Sequence, residues 1–287
     1  MSESSEPESL GDRVKRYQLT GDDEDLKRLL IVSDTMTESA RTALRRSGVG
    51  TGASVIECGC GPVGALPVLA ELVGPAGRVV GVDMNESAVE RARSVVDALG
   101  LDNVRLVVGN MNDLDATALG GPFDLAFTRL FLVHQANLIA TLRQIACLLA
   151  PGGVIVAQEP VRDPPPFAVP HLDTLAPSWH LVADLVQANG VPTELLASLP
   201  KAAAAVGLQV ERVDGSFVID RQPERTLRIY STTLAAVRPG AIATGLVDAA
   251  EIDGLIAALE AAAGDAIECV SSPFFTDIIM RKTDKIH

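Results

Sequence analysis

Two kinds of apolar segment alternate through the middle of the chain. Short runs rich in β-branched residues are each followed by a segment in which apolar residues recur every three or four positions. The runs are typical of buried strands and the periodic segments of helices. The predicted strands are 53–57, 78–82, 104–108, 123–127 and 154–157, and the predicted helices are 66–73, 87–99 and 138–149. This alternation predicts a parallel sheet that is covered by helices on both faces.

The pattern changes on both sides of this core. Residues 1–20 are acidic and aperiodic, which predicts a flexible tail, whereas apolar spacing over 22–46 predicts one helix. Beyond the prolines at 164–166, the predicted elements are helical over 171–199, 227–237 and 252–263, and strands over 208–218 and 267–280. We expect a single domain over 21–287. Its expected parts are a core at 50–160, a cap or lid at 160–200 and a sheet-completing region at 205–282.

Composition excludes several classes of partner. The 287 residues carry a formal net charge of −13, and only 3% of them are aromatic. Such a chain repels phosphate backbones and lacks stacking residues, so we expect no nucleic-acid partner. The absence of a membrane-length apolar run and of a signal-peptide core predicts a cytoplasmic protein with no membrane partner. The four cysteines lack zinc-site spacing, so we expect free thiols and no metal.

The segment VIECGCGPVG at 55–64 carries the most informative chemistry. Its glycines at 59, 61 and 64 match a fingerprint in which a nucleotide approaches the backbone where a strand turns into a helix. Asp83 ends the second strand-like run about 20 residues later, where a carboxylate can accept hydrogen bonds from ribose hydroxyls. The alternative for Asp83 is an ordinary helix cap. Together these features favour a nucleotide-containing cofactor.

Three features favour S-adenosylmethionine (SAM) over NAD as that cofactor. Glu57 lies directly before the glycines, where it would repel a pyrophosphate but attract an ammonium or sulfonium group. The segment 110–113 follows the third strand, where an amide and backbone groups can contact an adenine edge. Pro151, Gly152 and Gly153 lead directly into the fifth strand.

In order and spacing, these motifs resemble those of class I SAM-dependent methyltransferases. VIECGCGPVG resembles the first motif, VVGVDMN the second and GNMNDL the adenine motif, and FDLAFTRLFLVH and LLAPGGVIVAQEP resemble the later ones. The resemblance covers 25–160 well and the remainder loosely, and it is nearest to small-molecule enzymes of bacterial secondary and quinone metabolism. It implies an α/β, Rossmann-like, seven-stranded and mostly parallel sheet. The implied strand order is 3-2-1-4-5-7-6, with the last strand antiparallel and a helical cap.

The resemblance also implies cofactor-binding residues at the ends of the first four strands. Those for the methionine part are Glu57, Gly59, Cys60, Gly61, Thr128 and Arg129. Those for the adenosine part are Asp83 at the ribose, Met84 packed on adenine, Asn110 at the amino group and Met111 through its backbone amide. Many relatives have aspartate in place of Asn110, so this contact loses charge assistance.

Candidates for acid–base chemistry are fewer, because methyl transfer depends mainly on alignment and needs a base only for a protic acceptor. His134 follows the fourth strand and is either a base or a packing residue. Cyclopropane-forming relatives have glutamate where this chain has Val133, which argues against that reaction. His180 lies beside Trp179 in the segment expected to cover the acceptor. Tyr17 precedes the first helix and is either a lid residue or part of the tail.

The sequence favours methyl transfer from SAM to an oxygen, nitrogen or carbon atom of a small organic acceptor. A second hypothesis is a non-methylating protein of the same fold, either a SAM-dependent cyclase or a SAM-binding module. A third, an NAD-dependent oxidoreductase, leaves Glu57 unexplained. The identity of the acceptor stays open at this point, as does the oligomeric state, a homodimer included.

Overall fold

The architecture is an α/β sandwich with a separate helical cap. The structure, a computed structural model, describes residues 24–188, 195–264 and 267–283. The predicted tail at 1–20, and Tyr17 with it, lies outside these residues. The helices are α1 Glu24–Thr35, α2 Thr37–Ser47, α3 Leu66–Val73, α4 Glu86–Leu99, α5 Ala116–Leu119, α6 Leu138–Leu148, α7 Leu175–Ala188, α8 Leu195–Ala204, α9 Pro223–Ala243 and α10 Ala249–Ala262. The strands are β1 Ser54–Cys58, β2 Arg78–Asp83, β3 Val104–Val108, β4 Phe123–Arg129, β5 Leu149–Pro160, β6 Ala168–Val169, β7 Leu208–Ser216, β8 Ile219–Asp220, β9 Cys269–Ser271 and β10 Phe275–Lys282.

Seven strands form the main sheet in the order β3-β2-β1-β4-β5-β10-β7. Counted by their own sequence order, these strands follow the predicted 3-2-1-4-5-7-6. β10 is antiparallel to both of its neighbours, and the pairings among β1 to β5 are parallel. Glu57 on β1 lies opposite Gly81 on β2 and Phe127 on β4. The predicted fold class is confirmed, and the parallel strands bring their carboxyl ends to one edge.

Helices cover both faces of this sheet, as the apolar strands predict. One buried cluster joins Ile56 and Ile155 of the sheet to Leu142 of α6 and Leu199 of α8. The cluster on the opposite face includes the neighbouring strand residue Val55, because alternate side chains of a strand point to opposite faces. Its helical partners come from α2, α3 and α4.

The N-terminal helix differs from its prediction because it is divided in two. The helices α1 and α2 meet at Met36, which is buried and lies outside both. The division lets α2 pack on β5 and β10 while α1 contacts α9. Apolar spacing continues through the break, so periodicity alone predicts one uninterrupted helix.

The cap is larger than the predicted segment 160–200. Helices α7, α9 and α10 pack together through a buried cluster that includes Leu175, Leu227 and Leu259. A second, unpredicted sheet in the order β6-β9-β8 supports them. The expected strand at 267–280 is therefore two strands in different sheets. Conversely, α8 packs on the main sheet. In the described part of the chain, no helix combines the length and apolarity that crossing a bilayer requires.

Candidate functional site

The loop after β1 that contains Gly59, Gly61 and Gly64, here called the glycine loop, is hydrogen-bonded to the end of β2. The backbone amides of Gly59 and Cys60 both donate to the carbonyl of Val82, at 2.8 and 2.9 Å. The amide of Gly61 donates to Oδ2 of Asp83 at 2.9 Å. The structure therefore brings together the glycines and the acid that the sequence separates by about 20 residues.

Two glycines of this loop share a backbone conformation but not an environment. Gly61 and Gly64 both have φ +53°, a region that favours glycine. A Cβ on Gly61 would meet no described atom within 4 Å, whereas one on Gly64 would lie 2.5 Å from Oε1 of Glu57. Gly61 thus presents open space at the sheet edge, and Gly64 makes room for the carboxylate of Glu57. The spacing of the motif does not distinguish these two roles.

Glu57 lies beneath the loop with one carboxylate oxygen unpaired. Its side chain is 1% exposed, and Oε1 accepts a hydrogen bond from the amide of Ala65 at 2.6 Å. Oε2 is buried and has no hydrogen-bond partner within the described residues. Burial raises the pKa of Glu57 to about 8, although the positive charge of Arg129 opposes this shift. An unsatisfied buried oxygen is unusual and marks a position where a donor or cation is expected.

Arg129 connects the loop to the N-terminal helix. Its guanidinium is buried and donates to the hydroxyl of Ser33 on α1 at 3.2 Å and to the carbonyl of Gly64. Burial lowers the pKa of Arg129, while the negative charge of Glu57 raises it. The two predicted methionine-end residues Glu57 and Arg129 therefore lie on the same face of the sheet and contact the same loop.

The residues predicted for adenosine lie along the ends of β2 and β3. Asp83 is half-buried, and its Oδ1 accepts the amide of Asn85 at 2.9 Å. Met84 beside it is 74% exposed. Asn110 is also exposed, whereas Met111 is buried and begins a short 3₁₀ turn. An exposed thioether and an exposed amide at one edge suit contacts with an adenine ring and its amino group.

Thr128 turns away from the loop towards a buried acid that the sequence analysis did not single out. Its hydroxyl donates to Oε1 of Glu159 at 3.3 Å. That carboxylate also accepts the backbone amides of Phe131, Leu132 and Val133, at 2.9 to 3.4 Å. Burial raises the pKa of Glu159 to about 7. Glu159 therefore anchors the turn after β4, and its position near the end of an apolar strand, like that of Glu57, is the signal that could have identified it.

An apolar cavity of about 380 Å³ lies between this turn and the cap. Its walls come from α1, α7 and α9 as well as from the sheet edge. They include Leu130, Val133 and His134 at the edge and Trp179, Val182 and Ile229 on the cap. Leu130 has φ +52°, a strained conformation for a residue with a branched side chain. The volume lies within the range of small-molecule sites, about 300–1,000 Å³.

The three candidate acid–base residues have different positions. His134 lines the cavity and keeps accessible surface, while the protein around the ring removes part of its hydration and lowers the pKa of His134. His180 pairs with Asp163 at 3.1 Å and is not among the lining residues. Its neighbour Trp179 does line the cavity. Tyr17 precedes the first described residue, so the structure brings only His134 to the cavity.

Comparison with known proteins identifies the domain. A family model described as a methyltransferase domain matches residues 50–206, more than half of the chain. The demethylmenaquinone methyltransferase of Geobacillus stearothermophilus is 30% identical over 119 residues, which cover 42% of this chain and 50% of that protein. The aklanonic acid methyltransferase DauC of Streptomyces sp. strain C5 is 33% identical over 132 residues, which cover 44% and 58%. The chain thus spans about half the length of these curated relatives.

A solved structure shows the same fold over a longer stretch. The crystal structure of the cyclase SpnF has a TM-score of 0.53 at 18% identity, covering 86% of this chain and 81% of that one. At this identity the likeness extends to the fold alone. The family match, the sheet order and the glycine loop agree, and the chain therefore belongs to the class I SAM-dependent methyltransferases.

Proposed function

We propose that this protein transfers a methyl group from SAM to an oxygen, nitrogen or carbon atom of a small organic acceptor. One observation carries the proposal: the glycine loop and the apolar cavity meet at the same edge of the sheet. The ring of Phe131 packs against Gly59 on one side, and the turn that it begins provides Val133 and His134 to the cavity. A cofactor on the loop and an acceptor in the cavity would therefore be neighbours.

The residues at this edge suit SAM, whose sulfonium supplies an electrophilic methyl group when the cofactor is bound. The unpaired Oε2 of Glu57 lies buried beneath the loop, where the cationic methionine end would bind and would lower the raised pKa of this carboxyl, favouring its negatively charged form. Asp83 retains acceptor capacity for ribose hydroxyls beyond the two amides that it already binds. Gly61 leaves the loop surface open to close approach. Gly59, Cys60, Met84, Asn110 and Met111 complete the proposed cofactor site.

In this proposal, catalysis comes mainly from alignment. Glu159 holds the turn at 131–134 through three backbone amides, and Arg129 fixes the glycine loop to α1. The walls of the cavity exclude water and orient the acceptor toward the cofactor. His134 is the proposed base for a protic acceptor. The hydrogen bonds between His180 and Asp163 and between Thr128 and Glu159 favour structural roles for His180 and Thr128.

The biological setting is part of the proposal. Relatives named for demethylmenaquinone and aklanonic acid support a small-molecule acceptor, and we place it in secondary metabolism. Cysteine thiols that are unpaired throughout the described residues are compatible with the proposed cytoplasmic location.

The proposal is tested in two steps. Calorimetric titration with S-adenosylhomocysteine (SAH) should show binding in the micromolar range, and the absence of heat at high micromolar ligand would contradict cofactor binding. The second step incubates the protein with SAM and a panel of phenols, amines and enolisable ketones, and measures SAH together with methylated product by mass spectrometry. Acceptor-dependent release of SAH excludes the alternative of a non-methylating cyclase or binding module. Cofactor binding without methyl transfer to any acceptor class would favour that alternative.

A further inference from the structure

Hydroxyl groups around the cavity donate their hydrogens to the protein itself. The hydroxyl of Thr35 donates to the carbonyl of Ile31 at 2.8 Å, and that of Thr233 donates to the carbonyl of Ile229 at 2.7 Å. Each bond lies within a single helix, so neither hydroxyl hydrogen is available to a ligand. The hydroxyl of Ser178 on α7 donates in the same way to the carbonyl of Thr174, the residue before this helix, at 2.7 Å.

Larger polar side chains of the lining are bonded to other parts of the cap. The hydroxyl of Thr226 donates to Asp220 at 2.7 Å, and that of Tyr230 donates to the carbonyl of Ser271 at 3.0 Å. The indole of Trp179 donates to two backbone carbonyls at 3.1 and 3.2 Å. These groups stabilise the cap and have no hydrogen left to donate to a ligand.

The charge in the lining is also balanced. The guanidinium of Arg162 bonds to Asp184 at 3.1 and 3.2 Å and to Asp163 at 3.0 Å. No carboxylate belongs to the described lining. An ionised ligand would therefore lose its hydration without finding an unpaired opposite charge, which is costly. An apolar ligand gives up no hydrogen bonds to water when it enters the cavity, and the burial of its surface favours binding.

His134 is the exception in this lining. Within the described residues, its imidazole makes no hydrogen bond. It lies in the turn after β4 that begins at Phe131, whose ring packs against Gly59 of the glycine loop. The protein around the ring lowers the pKa of His134 and so favours its neutral form, in which one nitrogen can accept a proton.

From this distribution we propose that the cavity binds a neutral, largely apolar acceptor that carries one hydroxyl group directed at His134. This inference rests on the proposed methyltransferase function and specifies its substrate class. In the reaction, the acceptor O–H bond breaks and its proton passes to the free imidazole nitrogen. The oxygen forms a bond to the methyl carbon as the carbon–sulfur bond of the sulfonium breaks, and that electron pair leaves with neutral SAH.

The single tryptophan of the chain provides a direct test, because Trp179 lines the cavity. Two probes of equal ring size, neutral 2-naphthol and anionic 2-naphthoate, are titrated into the full-length protein while Trp179 emission is recorded. We expect saturable quenching by 2-naphthol and at least tenfold weaker binding of 2-naphthoate. Equal or tighter binding of the anion would overturn the proposal.

A pair of variants assigns the binding to the cavity. Ile229→Asp places a carboxylate in the lining, and Ile139→Asp makes the same change at an exposed position on α6 outside it. We expect Ile229→Asp to weaken 2-naphthol at least tenfold, and Ile139→Asp to change its affinity less than twofold. Unchanged affinity in Ile229→Asp would contradict the assignment. SAH affinity and melting temperature report whether each variant is folded, and if Ile229→Asp does not fold, Ile229→Asn replaces it with the same expected direction.

The two proposals fail separately. SAH binding without quenching by 2-naphthol would overturn the acceptor class and leave the cofactor assignment intact. Quenching by 2-naphthol without SAH binding would contradict the methyltransferase proposal while supporting the apolar site.

Discussion

At the residue scale, Asp83 and Asp124 perform the same local task at opposite edges of the sheet. Each accepts a backbone amide through its carboxylate, from Gly61 at 2.9 Å and from Ser54 at 2.8 Å. Only Asp83 lies at the carboxyl edge beside the glycine loop. The difference in position predicts a role in folding for Asp124 and a role in cofactor binding for Asp83.

Asp83→Asn should therefore weaken SAH about ten- to a hundredfold, because a hydrogen bond to a charged group contributes about 1.5–3 kcal/mol. Asp124→Asn should cost similar stability and leave SAH affinity within twofold of wild type. Isothermal titration calorimetry measures the affinities, and urea denaturation measures the stabilities. Equal affinities in the two variants would contradict the ribose role of Asp83.

His134 gives a prediction that depends on pH. With an acceptor that bears a hydroxyl group, His134→Gln should lower kcat by roughly 10²–10⁴-fold, the usual contribution of a general base. The base acts in its neutral form, and the pKa of His134 lies below its ordinary value of 6.5. Wild-type activity should consequently fall only as the pH drops through the lowered pKa of His134. The variant should lack this loss of activity at acidic pH. A variant with wild-type kcat and the same pH profile would exclude proton transfer to His134.

At the element scale, the glycine loop contains one glycine with a structural role, Gly64, and one with a proposed binding role, Gly61. Gly61 and Gly64 have the same φ of +53°, so alanine should incur similar backbone strain at both, about 1–2 kcal/mol. Gly64→Ala adds a collision with Glu57 and should lose roughly a further 1–3 kcal/mol of stability. Gly61→Ala should instead weaken SAH, because its methyl group enters the open space over the loop. Denaturation and calorimetry on both variants measure the contrast, and identical effects would refute it.

The sequence predicts an element well when all the apolar residues of that element pack against the same neighbour. The helix at Leu66–Val73 agrees in both bounds, since it packs on the sheet through one continuous face. The division at Met36 and the separation of β9 from β10 escape prediction. In both cases an apolar run continues while its packing partner changes, and periodicity reports burial without reporting the partner.

At the scale of the whole molecule, two fully buried carboxylates couple stability to pH. Burial raises the pKa of Glu159 from 4.5 to about 7 and that of Glu57 to about 8. Between about pH 4.5 and these values, the folded state binds more protons than the unfolded state. Stability therefore falls as pH rises through this window. The lowered pKa of His134 acts in the opposite direction, so a comparison of variants is needed to isolate each acid.

We expect wild-type protein to lose, between pH 5 and pH 8, on the order of 1–3 kcal/mol of unfolding free energy relative to Glu159→Gln. Glu90→Gln, a change at an exposed position on α4, is the matched control and should show no such relative loss. Urea denaturation at both pH values measures the difference. A constant difference between wild type and Glu159→Gln would show that Glu159 does not titrate in this window.

The sequence by itself determined which residues come together at the proposed cofactor site. Its motif residues lie at strand ends, and parallel strands necessarily end on one edge, so contiguous segments were enough to bring Glu57, the glycines and Asp83 together. The acceptor half was decided by the tertiary structure. Its walls come from segments as far apart as Leu29 and Phe275, and the neutrality of its lining depends on hydrogen bonds between those segments. A polar residue in a sequence shows its chemistry, but only packing shows whether that chemistry is already used within the protein.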